Sequence, residues 1–196
     1  GQIYATEGED WIWDSAPDTW EPGDFRAPTC ATCHMSGIGE LSTTHNITER
    51  LYWNLWDTTS QVRNSTDVLS PLLGNGEEGR AKMMLVCNSC HSNLHTEGFF
   101  AQGDRAVQLY NEAYFTVAEE MRVELADKGL LKENPWTDEF QIVYYYLWHH
   151  EGRRARQGAM MNGPDWAHWH GFFELQQDLY KLQEIHDRRL ETGTIE

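Results

Sequence analysis

Every cysteine in the chain falls within one of two copies of a single pattern, Cys30-Ala31-Thr32-Cys33-His34 and Cys87-Asn88-Ser89-Cys90-His91. A Cys-x-x-Cys-His run is the attachment signature of a covalently held c-type haem. The two thiols add across the porphyrin vinyl groups, and the histidine that follows is placed to bind the iron from one face. A fold built around two such groups must supply apolar walls for two flat plates.

Other uses of these cysteines explain less. A zinc ion held by four thiolates leaves the histidine after each pair without a role. The pairs are also separated by residues 34–86, far more than the usual zinc-ribbon gap. A thioredoxin-like dithiol needs one pair beside a βαβ pattern, and no such pattern is present. Two disulfides need no histidines at all. The residues therefore predict two covalently bound c-type haems, attached through Cys30, Cys33, Cys87 and Cys90, with His34 and His91 as proximal iron ligands.

Composition agrees. Nine Trp, eight Tyr and seven Phe occur in a chain whose mean hydropathy is only −0.65, and aromatic rings carry the large apolar area that porphyrin faces need. The formal net charge is −16, and haem propionates would add to it. Phosphate binding requires a basic surface, so nucleic acid is excluded as a partner class. A small basic redox carrier, or a basic face on a larger assembly, fits the sign. No stretch approaches the 18 or so apolar residues of a membrane span. Gly1-Gln2-Ile3-Tyr4 has neither the basic start nor the apolar run of a signal peptide. Because c-type haem is attached outside the bacterial cytoplasm, the expectation is an extracytoplasmic chain, periplasmic or equivalent, mature after signal removal.

Two regions are expected. Residues 1–29 read as an acidic, Trp-rich N-terminal arm punctuated by Pro17, Pro22 and Pro28, and residues 30–196 as a dihaem cytochrome c helical domain. Asn46, with Glu49 three residues on, is an N-terminal signal for a helix from about Ile47 to Arg63. A second helix over Gly79 to His91 would deliver the second motif. Val107, Tyr110, Tyr114, Val117 and Met121 then recur at helical spacing from Asp104, ending near Asp127-Lys128-Gly129. A fourth helix is expected from about Pro135 to Met160 and a last one from Asp165 to about Leu190. No alternating strand pattern is present. The fold class is all-α, a multihaem cytochrome c-like helical domain with an irregular arm.

A haem that only passes electrons normally takes a second protein ligand, and seven further histidines are available: His45, His95, His149, His150, His168, His170 and His186. His45 follows a Gly-rich loop after His34 and is a candidate distal ligand. His149 and His150 end an aromatic helical run and point about 100° apart, so either is a second candidate. His168 and His170 are further alternatives, or ordinary half-buried rings, or ligands to haem in another chain. His95 lies too close to His91 to reach the opposite face of one iron, and His186 is expected to be solvated. Met35 directly follows His34 and cannot fold back over the same iron. Arg153, Arg154 and Arg156 are candidate propionate partners, because guanidinium groups bind carboxylates in a bidentate manner.

These residues carry a resemblance. Ala27-Pro28-Thr29-Cys30-Ala31-Thr32-Cys33-His34-Met35-Ser36-Gly37, Thr44-His45-Asn46 and Glu49-Arg50 resemble the later haem-binding part of the octahaem hydroxylamine oxidoreductase family. The stretch from Trp148 to Ala159, with Gly163-Pro164-Asp165 and Trp169-His170-Gly171, is similar to that family's C-terminal helical region. The likeness spans roughly residues 27–190. It implies that the catalytic haem position lies outside this chain. Oxidative members of that family have a tyrosine after Gly-Pro-Asp that cross-links to a neighbouring subunit's catalytic haem; here the position is Trp166.

Three functions follow as expectations. The first is an electron-transfer subunit, in a hetero-oligomer, working with a multihaem hydroxylamine oxidoreductase-like catalytic partner in nitrogen-oxide metabolism. The second is a shortened or split haem enzyme acting on nitrite, nitric oxide or hydroxylamine at an open haem, with Asp165, His168 or His170 handling protons. The third is a structural or assembly subunit.

Overall fold

A computed structural model describes residues 29–50 and 76–195. The expected arm lies outside the described residues apart from Thr29, as does nearly all of the helix expected from Ile47 to Arg63; residues 47–50 form a turn. The elements are α1 (Cys30–His34), α2 (Gly76–Asn88), α3 (Asn93–Tyr110), α4 (Thr116–Asp127), α5 (Glu139–Tyr145), α6 (Gly152–Met160), α7 (Pro164–Ala167) and α8 (Glu174–Thr192). Three π-helical turns join them without breaking the run: Asn111–Phe115 between α3 and α4, Tyr146–Glu151 between α5 and α6, and His168–Phe173 between α7 and α8. No strand occurs among the described residues; Ile38 and Leu41 form one isolated bridge. The protein is all-α.

The core is where α4, α5 and α8 meet. Met121 and Leu125 from α4, Phe140 and Val143 from α5, and Leu182 and Ile185 from α8 are all buried. At the base of this layer Asp138 does two jobs. Its Oδ1 accepts from the amides of Phe140 and Gln141, capping α5. The same carboxylate takes a two-pronged grip from Arg189 of α8, at 3.0 and 3.2 Å, with both residues buried. Arg189 also donates to the carbonyl of Leu130 at 2.9 Å. The pair ties α8 to the α4–α5 connection.

A second layer, α3 against α6, depends on close backbone approach. A Cβ on Gly152 would collide with the Tyr110 ring, and one on Gly103 would collide with Met160. The two helices therefore run antiparallel, Gly152 beside Tyr110 at one end and Met160 beside Gly103 at the other. The guanidinium of Arg156 lies over the Tyr110 ring, 4.4 Å from its centroid.

α3 starts earlier than its periodicity indicates. Ser92 accepts from the amide of His95 and caps a helix from Asn93; Gly98 and Gly103 make this stretch read as a break, whereas Gly103 is a packing contact. α2 stops at Asn88, so only Cys87 and Asn88 of the second motif are helical, and Cys90 and His91 lie in the turn that follows.

Candidate haem-attachment site

The first motif sits on a single helical turn with a reciprocal cap. The Thr29 hydroxyl accepts from the amide of Thr32, and the Thr32 hydroxyl accepts from the amide of Thr29. Cys30 and Cys33 are one turn apart and share a face, Cys30 exposed and Cys33 half-buried. The chain then loops back, with the amide of Thr44 donating to the carbonyl of Met35 at 2.9 Å.

Arg50 holds this loop. It is fully buried and donates to three backbone carbonyls, of Cys33 at 3.2 Å, Ser36 at 2.6 Å and Ser42 at 3.0 Å. A single guanidinium thus fixes the attachment turn and both limbs of the loop behind it. The neighbouring Glu49 pairs with Lys82 of α2 at 3.1 Å. Glu49 is held below the usual carboxylate range by its hydrogen bond with Thr44 and by Lys82. On the other side of α2, Arg80 pairs with Asp104 of α3 at 3.0 Å and lies over the Phe100 ring.

These ties bring the two motifs together. Burial pushes the Cys33 thiol up, and the Cys30 and Cys90 sulfurs add to that rise. Burial likewise raises Cys87, with Cys33 contributing. The sulfurs of one motif are therefore within electrostatic reach of the other's. All four cysteines are free. Among the described residues no three His, Cys, Asp or Glu side chains gather as a metal-ion site. The His34 Nδ1 is buried without a hydrogen-bond partner, and His91 is exposed with its ring stacked on His95 at 4.4 Å. Free paired thiols, one exposed and one half-buried in each motif, with a histidine directly after each pair, fit covalently held haem. Cys30, Cys33, Cys87 and Cys90 would tether it, and His34 and His91 would hold the iron.

The other candidates are spread over the fold. His45 is exposed, in the same loop as the first motif. His149 and His150 lie in the π-helical turn Tyr146–Glu151. His149 stacks on Tyr145 at 4.6 Å, and His150 Nδ1 lies 2.6 Å from Glu151 Oε1. This turn leads into Gly152, beside Tyr110, whereas His91 adjoins the opposite end of α3. Eighteen helical residues separate those ends, about 25 Å at 1.5 Å per residue. The fold thus brings His45 to the attachment motifs but holds His149 and His150 away from the second one.

In the third π-helical turn His168 is exposed, and His170 lies between Asp165 at 3.4 Å and Glu174 at 3.6 Å. The expectation of a solvated His186 is corrected. It is buried, because Nδ1 meets Asp187 at 2.9 Å and Nε2 meets Glu124 at 3.2 Å. Of the arginines, Arg153 is exposed, Arg154 pairs with Glu174 at 3.3 Å, and Arg156 donates to the carbonyl of Gly152.

A solved structure titled "Hypothetical multiheme protein" shares this fold, with a TM-score of 0.66 at 20% identity. It is matched over 89% of this chain and 47% of its own length, so the chain spans about half of that protein. No curated protein matches the chain in sequence. Among the described residues no helix is long and apolar enough to cross a membrane. A family model described as "Seven times multi-haem cytochrome CxxCH" matches residues 1–135. Its defining pentapeptide is the pattern built twice into the site above, and it implies covalently bound c-type haem and a role in electron transfer. The chain belongs to this family of multi-haem CxxCH cytochromes.

Proposed function

We propose that the chain is a dihaem c-type cytochrome subunit that transfers electrons to or from a multihaem, hydroxylamine oxidoreductase-like catalytic partner in nitrogen-oxide metabolism. The observation that carries this reading is the juxtaposition of the two attachment motifs: α1 packs against α2, and the Glu49–Lys82 pair ties the first motif's loop to α2. Haem supplies one-electron exchange when bound, and two neighbouring haems make a relay. The chain's own residues do the positioning. Cysteines tether, His34 and His91 orient toward iron, Arg50 keeps the first attachment turn rigid, and the Glu49–Lys82 pair fixes the spacing to α2. His45, in the loop that follows the first motif, is the proposed distal ligand.

The partner assignment rests on the residue likeness to the octahaem family and on the acidic charge. Trp166 supports relay rather than oxidation at this chain: it is exposed, stacked under Arg154, and has no phenol for a cross-link. The proposed location is the periplasm or an equivalent compartment, in a hetero-oligomer served by a small redox carrier.

The test is intact mass and electronic absorption on the natively purified chain. Two porphyrin adducts and wholly low-spin haem that ignores nitrite, nitric oxide and hydroxylamine support the relay. A high-spin fraction binding those ligands moves the chain to the enzyme reading. Fewer than two adducts removes the dihaem assignment.

A further inference from the structure

We propose that the aromatic cavity between α4 and α5 is a binding site for a small quaternary ammonium cation, a positively charged nitrogen wrapped in alkyl groups. The inference is independent of the relay reading, and its cavity is lined by none of the residues assigned to haem.

The cavity has a volume of about 300 Å³, at the lower end of small-molecule pockets. Its walls are Tyr144 and Tyr145 of α5, Trp148 of the π-helical turn that follows, and Trp136 of a tight turn over Pro135–Thr137. These rings are crossed, not layered. Trp136 stands at 70° to Tyr145 with centroids 5.0 Å apart, and Trp148 at 83° with centroids 5.7 Å apart. Parallel rings leave a slot for a flat guest, whereas crossed rings leave a box for a rounded one. Boxes of this kind hold alkylated ammonium groups against the negative faces of the rings.

Trp136 is 64% exposed, yet its backbone is fixed. The Asn134 side chain accepts from the Trp136 amide at 3.1 Å, and the Thr137 hydroxyl donates to the Asn134 carbonyl at 2.9 Å. An exposed indole on a fixed turn is a wall already in place before a guest arrives, which lowers the ordering cost of binding.

Polar side chains in the wall decide the kind of guest. Arg122 gives Nε and Nη2 to Glu119 at 2.7 and 2.6 Å, and Tyr144 donates its hydroxyl to the same carboxylate at 2.6 Å. Gln141 Nε2 donates to the carbonyl of Lys132 at 2.9 Å. The Arg122 charge is thus balanced within the wall rather than turned toward an anionic guest. A quaternary nitrogen has no N–H to donate and needs only ring faces. The Tyr144 ring already serves a cation in this way, since the Arg122 guanidinium lies over it, 5.8 Å from its centroid. The sign of the field agrees. Beyond the Arg122–Glu119 pair, Glu119, Glu120, Glu124 and Asp127 of α4 line a cleft with Lys128 as its single lysine, in a chain of net charge −16. Such a surface gathers cations and repels anions.

Isothermal titration calorimetry of the full holo chain, with tetramethylammonium and with choline as probes, tests this. Both should bind saturably at one equivalent per chain. The carbon isostere of choline, in which a tert-butyl group replaces the trimethylammonium group, keeps the shape without the charge and should bind much more weakly. W136L keeps an apolar side chain but no ring, and should weaken choline binding about 3- to 30-fold, the span of one cation–π contact. W136F should recover part of that loss. Heats that never saturate, an uncharged isostere that binds as well as choline, or a folded W136L that binds like wild type would each overturn the proposal. The comparison of choline with its isostere is made on the wild-type chain, so it decides the matter even where a variant fails to fold.

Discussion

Arg50 Nη1 and the carbonyl oxygen of Cys33 lie 3.2 Å apart, joining a fully buried guanidinium to the attachment turn across 17 positions of sequence. This bond and its two companions make the first attachment turn part of a rigid loop rather than a free helical end. R50A leaves three carbonyls without their donor. Its expected cost is about 3 kcal/mol or more, since each hydrogen bond to a charged group is worth about 1.5–3. Denaturant unfolding reads that loss, and intact mass should show a large fraction of chains lacking one haem. R50K, with one ammonium for three acceptors, should recover only part of the stability.

Replacing both cysteines of one motif by serine should remove one porphyrin adduct and leave the other. The two double variants, C30S/C33S and C87S/C90S, are each expected to retain a single haem by mass. A variant that keeps both adducts would refute the attachment assignment. Loss of both would show that the neighbouring motifs load only together.

The Arg189–Asp138 pair predicts a pH signature. Burial alone would raise the Asp138 carboxyl, but the Arg189 guanidinium and the Lys132 amide hold it below its usual range. A carboxylate with a depressed folded pKa stabilises the fold above the unfolded value of about 3.9 and loses that contribution as pH falls through the folded value. R189A should cost about 3–5 kcal/mol at pH 7, because it strands a buried charge. The gap between wild type and R189A should narrow below about pH 4 in the same melts.

Asp178 has the opposite sign. Burial first, then the Glu151 and Glu174 carboxylates, push it up to about 7. A folded pKa above the unfolded one means the fold favours the protonated form. That contribution is present below about pH 4 and is lost as pH rises through about 7. D178N removes the charge at all pH values. It should be more stable than wild type at pH 8, by on the order of 1–2 kcal/mol after solvent screening, and nearly equal at pH 4. Equal gains at both pH values would contradict this account.

The attachment chemistry was legible because it is local: five adjacent residues declare it twice. The helices of the second half were legible as well, since Val107, Tyr110 and Met121 repeat at the helical period and are buried. What escaped depends on contacts distant in sequence. Arg50 looks like any surface arginine until Ser36 and Ser42 fold back to it. His186 sits among charged neighbours, yet Glu124, 62 positions away, buries it. Arg189 is hidden by Asp138 in the same way. The pairing of His149 and His150 with one end of α3 also had no local mark, because it follows from Gly152 admitting Tyr110.

Two of the three π-helical turns carry His149, His150, His168 and His170. Each widened turn holds a residue more than an α-helical register would, and an α-helix advances about 100° per residue. Deleting one residue from Tyr146–Glu151 would therefore let the helix tighten and swing everything beyond it by about that angle. The imidazoles would no longer face where they do now, and Gly152 would turn away from Tyr110, so the same contraction would undo the seam between α3 and α6.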